Sequence, residues 1–180
     1  MAVNGPGNGD VNSILVYVGL DLVGDGLIKL PFVRALRDAY PTARITWLAG
    51  KGRSVFNGAL KNVVVGLIDE VIERDDIGVS WSEVLRNPMP GRSFDLIIDT
   101  QKGALASLAL RRIRHKAIVS PFANFLLSSC RPPTGYRVRK NLQRDLFDLV
   151  EIASCTQQSM TSGMIVPIAS SLRDVAAQLL

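Results

Sequence analysis

Ser13-Ile-Leu-Val-Tyr-Val18, followed by Gly19-Leu-Asp-Leu-Val-Gly-Asp-Gly26, decides the fold. After Ser13, five consecutive apolar residues, three of them β-branched, make a strand covered on both faces, the pattern of a parallel sheet. The eight that follow read as a turn-rich loop. From Leu27 to Tyr40 the spacing predicts a helix, with Leu30, Val33, Leu36 and Tyr40 on one face and Arg34, Arg37 and Asp38 on the other. Pro31 lacks an N–H, so it is expected in the first turn or at a kink, and Pro41 stops the helix.

Working outward, the strand–helix alternation repeats. Strands are expected at 43–48, 69–73, 94–99 and 116–120. A loop and short helix are expected over 50–60, a helical turn at 81–85 and an Ala/Leu helix over 103–113. Strands alternating with helices give a parallel sheet with helices on both faces. Right-handed crossovers make it α/β and Rossmann-like. After Pro121 the alternation stops. Arg139 to Ala153 reads as an amphipathic helix with Leu142, Leu146, Leu149 and Ile152 on its buried face. Residues 1–12 read as a flexible lead-in, 13–160 as one domain and 161–180 as the start of a linker.

At 180 residues, 47% hydrophobic and with a mean hydropathy of +0.21, the chain has enough apolar side chain for one real core. No apolar run approaches the roughly 18 residues of a membrane span. The first residues lack a basic and then apolar signal pattern, so a cytoplasmic protein is expected, at most peripheral to the inner face of the membrane. Cys130 and Cys155 fit no zinc spacing and are expected as free thiols. Net charge is +5, yet Lys102 to Arg144 holds ten Lys and Arg and no Asp or Glu, leaving −5 for the rest. A basic segment of this kind suits an anionic partner or a solvated face. Its aromatics, Phe122, Phe125 and Tyr136, show no interleaved stacking pattern, which makes nucleic acid an unlikely partner.

In an open α/β sheet ligands bind beyond the carboxyl ends of the strands, so Gly19 to Gly26 is the first candidate site. Gly19 and Gly24 have Walker A spacing, but Asp25 and Gly26 replace the lysine and the Ser or Thr, and a carboxylate repels phosphate. A dinucleotide fingerprint fails for want of its third glycine. Asp25, between Gly24 and Gly26, remains: glycines there allow a substrate to approach, and a carboxylate at the start of a helix can take a proton from a hydroxyl. On residue type alone a helix cap is as good a reading.

Four strings lie in order along the chain: Ile14 to Asp25, ending Gly24-Asp25; Leu30-Pro-Phe-Val-Arg-Ala-Leu-Arg-Asp-Ala-Tyr-Pro-Thr-Ala-Arg-Ile-Thr-Trp-Leu-Ala-Gly50; Ile68-Asp-Glu-Val-Ile72; and Phe94-Asp-Leu-Ile-Ile-Asp-Thr-Gln101. Together they resemble glycosyltransferase family 9, which contains the ADP-heptose–lipopolysaccharide heptosyltransferases, over roughly Ile14 to Ser120. The resemblance implies the N-terminal, acceptor-side domain of a GT-B glycosyltransferase with two facing Rossmann-like domains. It implies inverting transfer without metal or cofactor, from a nucleotide sugar such as ADP-heptose to a lipopolysaccharide-type acceptor. Asp25 would be the general base. The nucleotide-sugar domain would follow the present C-terminus. Where some family members carry a basic residue in the first loop, this chain has Gly19-Leu20-Asp21.

Further candidates stand at strand ends. Lys51 and Arg53 follow the second strand, and Gln101 and Lys102 the fourth; with Gly24 and Gly26 they form the expected acceptor-binding set. Asp99 is open to a structural or a functional role. His115, between Arg114 and Lys116, is expected as a solvated turn residue, and Trp47 and Trp81 as packing. The alternative function is a non-catalytic module that binds an anionic glycolipid or a partner protein.

Overall fold

A computed structural model describes residues 11–130, 132, 136 and 142–154. Five parallel strands, β1 (Ser13–Val18), β2 (Arg44–Ala49), β3 (Glu70–Glu73), β4 (Ser93–Asp99) and β5 (Arg114–Val119), form one sheet in the order β3-β2-β1-β4-β5. Their helices are α1 (Val23–Ala39), α2 (Ala104–Leu110) and α3 (Leu142–Ser154). Short 3₁₀ turns at Val55–Asn57, Lys61–Val64 and Trp81–Leu85 fill the connections after β2 and β3.

β1 is the central strand because, apart from Ser13 at its start and the Tyr17 hydroxyl, its side chains are apolar. Ile14 to Val18 are wholly buried, pairing Ile14 with Ile45 on one side and with Leu96 on the other. Alternation divides these side chains between two cores. Ile14, Val16 and Val18 face α1 and α3, with Val33, Leu36 and Leu149. Leu15 and Tyr17 face the other layer, with Ala106, Leu110 and Ile113. Helices therefore cover both faces, as the Rossmann-like reading expects.

The sheet matches expectation to within one or two residues at the strand ends; the start of α1 and the place of His115 differ. α1 begins at Val23 rather than Leu27, so Gly24, Asp25 and Gly26 lie in its first turn and not in the loop. Pro31 stands in the third turn. The carbonyl it deprives of a donor is that of Leu27, which is exposed, so water can replace the lost bond. His115 lies within β5, its Nδ1 2.6 Å from the Ile113 carbonyl, rather than in a turn.

The amphipathic segment forms α3, which packs against α1 through Leu146, Leu149 and Ile152, while Leu142 is exposed. The lead-in is ordered at its end: Val11 is buried, and Asn12 N–H donates to Asp95 Oδ2 at 2.9 Å. Residues 1–10, Cys155, and the expected linker at 161–180 lie outside the described residues. Cys130 is buried and in no disulfide. Trp47 is core, as expected, whereas Trp81 is 70% exposed.

Candidate functional site at the sheet switch point

The chain runs from β1 outward to β2 and β3, then returns to the other side of β1 for β4 and β5. The loops leaving β1 and β4 therefore part in opposite directions and open a crevice between them. Gly19 to Leu22 follows β1; Thr100 to Gly103 follows β4. They meet at one point, where a Cβ on Gly19 would stand 3.0 Å from Gln101 Oε1.

Asp25 occupies the third position of α1. Leu22 precedes the helix in an extended conformation, and no side chain caps this end. The Asp25 carboxylate is partly exposed and makes no hydrogen bond or ion pair among the described residues. It is thus a free acceptor, at the start of the helix that leaves the carboxyl end of β1. Its two glycines have different work. Gly24 is exposed, with nothing within 4 Å of where its Cβ would be. Gly26 is buried, and its Cβ would lie 2.5 Å from Val55 Cγ1 and 3.1 Å from Leu60 Cδ1. Close packing of α1 on the turn after β2 explains Gly26.

Asp21 holds this loop. Its carboxylate is fully buried, accepting from Lys29 Nζ at 2.9 Å, Trp47 Nε1 at 3.0 Å and Ser54 Oγ at 2.6 Å. Its backbone carbonyl accepts from Val55 N–H at 3.2 Å. A buried carboxylate is tolerable only with such a set of donors. The network binds the loop after β1 to the loop after β2, where Asp21 and Ser54 form an isolated parallel bridge. Lys51 and Arg53 lie in that second loop, exposed, with no ion pair among the described residues.

Asp99 plays the matching part across the crevice. It ends β4, wholly enclosed, and accepts from Ser107 Oγ at 2.6 Å, Ser120 Oγ at 2.9 Å and Gln101 N–H at 2.8 Å. None of these donors is charged, and burial pushes its pKa up to about 6 against the smaller opposing pull of the hydrogen bonds. Asp99 therefore sets the loop that carries Gln101 and Lys102. Gln101 Nε2 in turn donates to Thr100 Oγ1 at 3.2 Å. Lys102 is not a free cation: its Nζ stands 2.8 Å from Asp145 Oδ2 of α3. Asp145 Oδ1 is buried without a partner among the described residues, beside a cavity of about 30 Å³ also lined by Thr100, Phe125 and Leu149, enough for a water.

Of the six described cations of the basic segment, five are engaged inside the chain, and Arg114 is exposed. Lys102, Lys116 and Arg144 pair with Asp145, Asp95 and Asp148, and Arg111 and Arg112 donate to the Leu127 and Val84 carbonyls. Arg131, Arg137, Arg139 and Lys140 lie outside the described residues. Among the described residues no group of His, Cys, Asp and Glu side chains could hold a metal ion.

A glycosyl transferase family 9 structure from Veillonella parvula superposes on 93% of this chain with a TM-score of 0.60 and 22% identity. The E. coli heptosyltransferase WaaC, solved with ADP, superposes on 84% with a TM-score of 0.56 and 15% identity. The chain has the fold of these glycosyltransferases. It spans 48% and 50% of their respective lengths, so it corresponds to about half of such a glycosyltransferase fold. No protein-family model matches the sequence, and no curated protein is similar enough to count as a relative.

Sequence reasoning found the positions at strand ends but not their division of labour. Asp21 was noted only as the absence of a basic residue. Its role depends on Trp47 and Ser54, 26 and 33 residues away, and no local spacing reveals that. Ser107 and Ser120 carried no signal at all.

Proposed function

We propose that this chain is the acceptor side of a glycosyltransferase, with Asp25 as the general base. The observation that carries the reading is the unpartnered Asp25 carboxylate beside the switch-point crevice of a glycosyltransferase-like fold. A base must be within reach of the proton it takes and must have a lone pair to spare. Asp25 has both oxygens free, whereas Asp21 and Asp99 are buried and committed to donors.

In this reading an acceptor hydroxyl enters the crevice over Gly24, which leaves space there. Gln101 binds it by hydrogen bonds, and Lys51 and Arg53 meet anionic groups of a lipopolysaccharide-type acceptor. Gly26 and Lys102 act from behind, the first by packing and the second by tying the β4 loop to α3. Asp25 accepts the hydroxyl proton as that oxygen attacks the anomeric carbon of a nucleotide sugar such as ADP-heptose. The nucleotide leaves from the opposite face, inverting that carbon. The nucleotide sugar is bound by a second domain, which this chain, at about half the length of its structural matches, does not supply alone. No helix among the described residues is long and apolar enough to cross a membrane, and we place the protein in the cytoplasm.

A second reading, a non-catalytic module that binds an anionic glycolipid or partner protein, is favoured by the exposed cations Lys51 and Arg53, which have no ion pair among the described residues. Transfer from ADP-heptose to a glycolipid extract, with a donor-side domain added, separates the two. Turnover that Asp25→Asn abolishes supports the enzyme. Acceptor binding without turnover in any mixture supports the module.

A further inference from the structure

The loop after β1 is built inside out. Asp21 points inward and is buried, while Leu20 and Leu22 on either side of it point outward. Residues alternate direction in extended chain, so the inward anchoring of Asp21 on Trp47 and Ser54 forces both leucines into solvent. α1 extends the same surface. Val23 and Leu27, one turn apart, are exposed, with Ile28 beside them. Leu20, Leu22, Val23 and Leu27 are each 48–59% exposed. Five large apolar side chains thus stand out within nine residues, while the one fully buried charge nearby is held in by its neighbours. Single exposed leucines need no explanation, but a contiguous apolar rim marks a contact surface.

The cations beside this rim indicate what it touches. The Asp21–Ser54 bridge brings Arg53, the residue before Ser54, alongside Leu20 and Leu22, and Lys51 lies in the same loop. Both are exposed and unpaired among the described residues. The carboxylates near the rim are Asp25, which is free, Asp21, which Lys29 neutralises, and Glu73, whose Oε1 accepts from Ser54 N–H at 2.8 Å. Apolar side chains flanked by unpaired cations fit the boundary between the headgroups and acyl chains of an anionic bilayer.

We infer that Leu20, Leu22, Val23, Leu27 and Ile28, with Lys51 and Arg53, form the surface by which this protein docks on an anionic lipid bilayer. The basic segment after Lys102 is not that surface where it is described, since all its described charges but that of Arg114 are used internally. The inference deepens the proposed function: Asp25 sits among the docking residues, so a hydroxyl on a lipid headgroup is presented to it at the membrane surface.

Docking is tested apart from catalysis by co-sedimentation of the whole chain with vesicles. One set contains phosphatidylglycerol and phosphatidylethanolamine; the other is phosphatidylcholine alone. Binding to the anionic vesicles is expected to exceed binding to the neutral ones. It should fall about tenfold or more in Leu22→Ser/Val23→Ser and in Lys51→Glu/Arg53→Glu, given roughly fivefold per surface cation. Leu85→Ser, which removes an exposed leucine elsewhere, should bind as wild type. Asp25→Asn, which removes a carboxylate from the rim, should dock at least as well as wild type, so unchanged transfer in that variant speaks against the base and not against this surface. Circular dichroism melts confirm that each variant is folded. Absence of vesicle binding, or binding that both double variants leave intact, overturns the proposal. So does a wild-type dimer that Leu22→Ser/Val23→Ser splits without changing vesicle binding, because the rim would then cover a second copy.

Discussion

Gln101 lies across Gly19: a Cβ on the glycine would stand 3.0 Å from Gln101 Oε1 and 3.2 Å from its Cδ. The two residues leave neighbouring strands in opposite directions, and their contact closes the bottom of the crevice. Gly19→Ala must therefore displace the end of a flexible side chain and not the backbone. Its expected effect on stability is small, about 0.5 kcal/mol or less. Its expected effect on acceptor affinity is a several-fold loss, because Gln101 is moved. Thermal melts and acceptor titrations on the same preparation check both.

The glycines flanking Asp25 should respond in opposite ways to alanine. At Gly24 a Cβ meets nothing, and alanine in a helix is favoured, so Gly24→Ala is expected to stabilise by about 0.5–1 kcal/mol. At Gly26 the new methyl would press on Val55 Cγ1 at 2.5 Å, and overpacking of this kind costs about 1–3 kcal/mol. Chemical denaturation of the two variants should show shifts of opposite sign.

Asp21 anchors three donors, among them Lys29, whose side chain is only 6% exposed. Asp21→Ala leaves that ammonium buried without a counter-charge, and removal of one partner of a buried pair costs about 3–5 kcal/mol. The variant is expected to unfold at markedly lower denaturant. If the pair is replaced together, by Asp21→Ala with Lys29→Met, much of the loss should return.

Two kinds of carboxylate give the pH dependence of stability opposite slopes. The pKa of Asp99 is raised, so the folded state holds this proton more firmly than the unfolded chain. Its contribution is greatest below about 3.8 and is lost as pH rises through about 6, a difference of about 3 kcal/mol at most. Asp95 is lowered to about 2 chiefly by its hydrogen bond with Lys116, and Glu70 to about 2 chiefly by Arg92. Their stabilisation is present above their unfolded values of 3.8 and 4.5 and fades as pH falls towards about 2. Asp99→Asn should flatten the stability curve between pH 4 and 6 and leave the acid limb intact. Urea denaturation across that range measures it.

These groups also show what the sequence could and could not tell. The sheet was legible because β1 carries five consecutive apolar residues and each later strand a shorter apolar run; hydrophobic pattern is local and survives without coordinates. The start of α1 was not legible. Leu22 is a poor cap and two glycines follow Val23, so local propensity argues against a helix there. Packing of Gly26 on Val55 and Leu60 overrides that argument. The cost of Pro31 was not legible for a related reason: it depends on whether the orphaned Leu27 carbonyl can reach water, which is a tertiary fact. The basic segment read as a binding patch because its acidic partners, Asp95, Asp145 and Asp148, stand outside it in sequence. Asp25, in contrast, was visible from the Gly24-Asp25 string, and the structure adds that it is uncapped and free.

The most direct test is the rate of sugar transfer by wild type and Asp25→Asn, each combined with the same donor-side domain of a family 9 glycosyltransferase, ADP-heptose and a membrane glycolipid acceptor. With fold and acceptor binding unchanged, loss of a general base is expected to lower turnover by roughly 10²–10⁴-fold. Equal turnover by the two proteins would contradict the assignment of Asp25 and, with it, the account of this crevice as a catalytic one.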